Sequence, residues 1–164
     1  MAATRQQREK LIQHCRSGLP MQALAIIWKD PAIVRDSGCS MLWEGRNPTM
    51  LKALGWLSER LCVLKGAVLV GIEKRRPGWL GGIVRLPNIS YEAYAAVLLA
   101  YVNGNSVWDL GLCGEIVRGL AAFGRNVQMD EALAGALSKL LVPEVGLDAE
   151  SRGMIKSMLL RNDG

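Results

Sequence analysis

Three cations stand in a row at Lys74-Arg75-Arg76, just ahead of Pro77-Gly78, and Lys52, Arg60 and Arg85 lie in the same stretch of Pro48 to Pro87. Cations at this density suit one kind of chemistry. They neutralise phosphates, and the release of condensed counterions yields affinity without any reading of sequence. The charge around them is uneven. Residues 1–87 carry fourteen Lys/Arg against six Asp/Glu, a net of +8, whereas residues 88–164 carry six against nine, a net of −3. A basic first half of this kind favours a nucleic acid, DNA or RNA, as partner. Lys52, Arg60, Lys74, Arg75, Arg76 and Arg85 are the residues expected to contact it.

Other chemistries lack their residues. His14 is the sole histidine and has no neighbour in sequence to make it a base for a nucleophile. The cysteines at 15, 39, 62 and 113 lie far apart and form no CxxC pair, which argues against a zinc site and against a disulfide framework. Cys15, Cys62 and Cys113 sit in apolar helical context and read as buried free thiols of a reducing compartment. No phosphate loop of the GxxxxGK[ST] type occurs, nor a GxGxxG after a strand. The carboxylates at Asp130-Glu131 and at Asp148 and Glu150 open predicted helices, where negative charge complements the backbone dipole. The expectation is a non-enzymatic protein without cofactor or metal.

The polar start ATRQQREK is unlike a secretory signal, and no apolar run approaches ~18 residues, so the expected setting is the cytoplasm, or a host cytoplasm or nucleus, away from membranes. Without such a signal the sequon Asn88-Ile89-Ser90 is idle.

The elements that position the cations follow from periodicity. Residues 4–17 predict a helix capped by Thr4 with Gln7 in the capping-box position, closed by Gly18. Pro20 opens a second helix that Asp30-Pro31 stops. The pair LIQHCRSGLPMQALAIIWK resembles one unit of the tetratricopeptide and pentatricopeptide repeats over about 20 residues; with no second copy at a period of about 34, a solenoid is not expected. Asn47 caps a helix through Leu64 with Pro48 at its first position and Met50, Leu51, Leu54, Leu57, Leu61 and Leu64 as its apolar stripe. Gly55, inside that helix, suggests close approach of another backbone.

Ala67 to Glu73 is short and rich in Val, Leu and Ile, and Trp79 to Leu86 reads as a return strand with a bulge at Gly81-Gly82, so this region predicts a β-hairpin with the cations at its turn. Pro87 closes that sheet. Helices capped by Ser90, Ser106, Asp130 and Asp148 follow, with Arg161 near the carbonyl end of the last. Gly111, Gly114 and Gly119 mark the helix after Ser106 as a closely packed central element. The expected fold is mainly α with one β-hairpin (α+β), a compact helical domain over 1–164 in which 1–87 and 88–164 form possible lobes.

Helix 48–64, a strand, a cationic turn and a strand ending Val84-Arg85-Leu86 together resemble the recognition helix and wing of winged-helix nucleic-acid-binding domains over residues 48–87. The resemblance implies that Thr49, Lys52, Ala53, Trp56 and Arg60 face a major groove and that Lys74, Arg75 and Arg76 meet phosphates. A second reading starts from apolar content. Half the residues are hydrophobic, five are Trp, mean hydropathy is +0.15, and EAYAAVLLAYV is apolar almost all round. Such a helix is buried deep or lies in an interface. That makes a homodimer through residues 90–161 an expectation, and a helical protein–protein assembly module without a nucleic-acid role the alternative.

Overall fold

The computed structural model describes residues 4–36, 38–64, 66–104, 110–124 and 129–163, with the backbone alone for 161–163. The elements are α1 (Arg5–Arg16), α2 (Pro20–Lys29), a 3₁₀ turn (Pro31–Arg35), α3 (Ser40–Glu44), α4 (Pro48–Val63), α5 (Gly66–Arg75), α6 (Trp79–Val84), α7 (Tyr91–Gly104), α8 (Leu110–Ala121), α9 (Glu131–Leu140) and α10 (Ala149–Asp163). Among the described residues there is no strand.

Helix ends form where polar side chains replace missing backbone partners. Thr4 and Gln7 make a reciprocal capping box, at 3.2 and 3.0 Å. Gly18, at φ +71, lets the Leu19 N–H turn back to the His14 carbonyl at 2.9 Å. The Asn47 side chain accepts from the Met50 N–H at 3.0 Å, with Pro48 following, a cap worth about 1 kcal/mol. Ser90, Asp130 and Asp148 cap their helices in the same manner. Ser106 and the Arg161 side chain lie outside the described residues.

The hairpin is overturned. Both of its strands are helices, α5 and α6. In α5 the buried residues are Leu69 and Ile72, three apart, while Ala67, Val68, Lys74 and Arg75 are exposed. That is a helical period, and the β-branched content that suggested a strand is set aside by tertiary packing. Gly78, at φ +91, begins α6, whose six residues are all buried. Gly81-Gly82 is no bulge. A Cβ on Gly82 would stand 3.3 Å from the Ala32 nitrogen and from Pro31 Cβ, so the glycine admits the 3₁₀ turn against α6. Pro87 consequently closes no sheet, and the two-stranded wing of the winged-helix comparison is absent.

One cluster of buried side chains runs from Leu11 to Met158, with α7 at its centre, packed against α4, α5, α6, α8 and α9. Among residues 91–103 of α7 only Glu92 and Asn103 are exposed. Much of its apolar surface is covered within the chain, with Ala93, Val97, Leu98, Ala100, Tyr101 and Val102 buried and Tyr91, Tyr94, Ala95, Ala96 and Leu99 half-buried. Close packing by glycine is seen at Gly119, where a Cβ would meet the Tyr94 ring at 2.5 Å. At the buried Gly114 the nearest atoms to such a Cβ belong to the Arg118 side chain, at 3.2 Å, and Gly55 faces open space.

Candidate nucleic-acid interface

Three helices end beside one another. Arg60 is in the last turn of α4 and Arg75 in the last turn of α5, while Arg76 donates from Nη1 to the Lys29 carbonyl at the end of α2, at 3.4 Å. Cations are favoured at such ends because the final carbonyls lack partners. Convergence of the three ends brings the three guanidinium groups around one cleft of about 260 Å³, whose other lining residues are Trp28, Leu64, Val68 and Ile72.

Packing fixes the cleft's walls. The Arg60 guanidinium lies over the Trp28 ring at 5.3 Å. Trp28 in turn meets the buried Trp79 ring edge-on, with centroids 5.1 Å apart, and its carbonyl accepts the Trp79 indole N–H at 2.7 Å. Glu73 sets the turn that carries Arg76: its carboxylate accepts from the Gly78 N–H at 3.0 and 3.2 Å and from the Leu80 N–H at 3.1 Å. Trp79 and Glu73 thus hold α2, α5 and α6 in register beneath the cations.

The six residues expected to bind divide. Arg60, Arg75 and Arg76 share the cleft, as exposed side chains with no carboxylate partner among the described residues. Lys52 lies on the same outer face of α4, ~12 Å before Arg60 at 1.5 Å per residue, with its amine 5.2 Å from the Trp56 ring. Lys74 turns to the other side of α5. There it lines a groove of about 650 Å³ with Gly66, Ala67, Val70, Gly71, Ala100 and Asn103. Arg85 is committed elsewhere: its fork pairs with Glu115 of α8 at 2.9 and 3.1 Å, and its carbonyl accepts from Arg35.

The groove-facing set of the winged-helix comparison also divides. Ala53 is fully buried, whereas Lys52 and Arg60 are exposed and Thr49 and Trp56 half-buried. Trp28 escaped the sequence reading, in which it was only the end of an apolar helix. Its signal was position, the last turn of α2 just before Lys29 and Asp30.

Among the described residues, no three His, Cys, Asp or Glu side chains group closely enough to hold a metal ion, and no helix is long and apolar enough to cross a membrane. No family model matches the chain, and neither a curated protein nor a solved structure matches it.

Proposed function

We propose that the protein is a non-enzymatic nucleic-acid-binding protein whose contact surface is the cleft of α2, α4 and α5 together with the adjoining face of α4. One observation supports this above the others: Arg60, Arg75 and Arg76 line a single concavity and form no ion pair with a carboxylate of the described residues. Stacking on Trp28 orients the Arg60 guanidinium without cancelling its charge, and the N–H groups at its edge stay available to phosphate oxygens. Lys52 extends the positive surface along α4.

Fluorescence anisotropy across a salt series tests the reading. Affinity should fall by roughly 0.7–0.9 logarithmic units per unit of log salt for each phosphate neutralised. Replacing Arg60, Arg75 and Arg76 by Ala should flatten that slope by about two units, whereas Arg85→Ala, which removes a cation already paired to Glu115, should leave it nearly unchanged. No binding to any nucleic acid at low salt would overturn the proposal and direct the search to a protein partner.

A further inference from the structure

The arginine cleft also has apolar lining. Leu64, Val68 and Ile72 line it together with the three arginines, and Val68 is 44% exposed although it belongs to the lining of a concavity. A duplex offers a protein its phosphates, its sugars and the edges of its bases, but it keeps the base faces stacked on one another, so apolar side chains among cations have no base face to bury. An unpaired strand is different. Its bases have free π-faces that bury against apolar side chains while its phosphates meet the cations. We infer that the cleft takes one nucleotide of a single-stranded nucleic acid, its base against Val68 and Leu64 and its phosphates between Arg60, Arg75 and Arg76. This rests on the nucleic-acid reading above and narrows it.

Trp28 is a wall and not the stacking platform. Arg60 covers its ring, and Trp79 meets it edge-on at 5.1 Å. The base therefore has the aliphatic side of the cleft, formed by one turn of α5 from Val68 to Ile72 and by Leu64 at the end of α4. The cleft thus lines up partners for both parts of a nucleotide, arginines for its phosphates and aliphatic side chains for its base. Charge complementarity favours a phosphodiester over an uncharged apolar segment of a protein.

The test compares ligands before variants. A labelled single strand of about 12 nucleotides, the duplex of equal length and a strand of equal length made of abasic sites are titrated at one near-physiological salt concentration. The single strand should bind roughly tenfold more tightly than either of the others, because each base stacked on a protein surface contributes about that factor. Val68→Ser should weaken single-strand binding about fivefold and leave duplex binding unchanged, with Val68→Thr, of nearly the same shape, as the check that the fold is intact. Equal binding of the abasic and normal strands, or a preference for duplex, would overturn the single-strand inference while the nucleic-acid reading stands. Failure to bind all three, or capture of an acidic peptide in their place, would overturn both.

Discussion

Trp79 donates its indole N–H to the carbonyl of Trp28 at 2.7 Å, across fifty-one residues of chain. The bond joins the end of α2 to the start of α6 and sets the height of the ring on which Arg60 rests. Trp79→Phe keeps most of the buried area but leaves that carbonyl without its donor. The expected cost is about 1–3 kcal/mol in urea unfolding, together with weaker nucleic-acid binding as the Trp28 wall shifts. Unchanged stability would mean that water or a neighbour replaces the bond freely.

Glu73 separates geometry from charge. Removing a carboxylate beside Arg75 and Arg76 raises the net charge by one, so electrostatics alone predicts tighter binding for Glu73→Ala. The structure predicts the reverse, because the turn at Arg76 to Gly78 loses the acceptor that two backbone N–H groups share. Weaker binding at every salt concentration, with a lower melting temperature, is the expected outcome. Tighter binding would show that the turn holds its form without Glu73.

Two glycines inside helices should respond oppositely to alanine. Gly119→Ala drives a methyl group to within 2.5 Å of the Tyr94 ring, whose hydroxyl is bonded to the Val84 carbonyl at 2.7 Å and holds the ring in place. Overpacking of this kind costs about 1–3 kcal/mol. Gly55→Ala meets nothing within 4 Å on an exposed face of α4 and should stabilise by about 0.5–1 kcal/mol. Chemical denaturation of the two variants measures both signs.

The four thiols should react unequally. Cys15, Cys39 and Cys113 are buried, and burial, followed by the neighbouring Cys39, pushes the Cys15 thiol up to about 11. Cys62 is exposed, although partial burial of its thiol raises its pKa above the ordinary value. A disulfide reagent should modify one thiol of the folded protein, faster as pH rises because thiolate is the reacting form. The other three should follow only on unfolding, and Cys62→Ser should abolish the first phase.

The contrast among the thiols shows how far the sequence was legible. Leu61-Cys62 read as buried because its surroundings are apolar, yet Leu61 faces the core and Cys62 the solvent, one helical step of ~100° apart. Caps were plain wherever Asn, Asp, Ser or Thr stood before an apolar stripe, and Thr4, Asn47, Ser90, Asp130 and Asp148 all act as read. α5 and α6 were not, because Gly66, Gly71, Val68, Val70 and Ile72 argue against a helix locally. Their helical form comes from burial of Leu69 and Ile72 and from the whole of α6 against elements distant in sequence, α7, α8 and the 3₁₀ turn. Of the site, Arg60, Arg75 and Arg76 were visible as cations. That they share a cleft, that Arg85 is paired and that Lys74 faces away are consequences of packing that no local pattern carries.

The position of α7 also bears on how the protein is made. α4, α5 and α6 bury themselves against a helix that follows them in the chain. Ribosomes add ~5–20 residues each second, so about one to three seconds separate the synthesis of Pro87 from that of Gly104. Through that interval the faces of α4, α5 and α6 that pack on α7 lack the covering they have in the finished fold. The arrangement of Arg60, Arg75 and Arg76 around one cleft thus depends on α7, a segment with no lysine or arginine of its own.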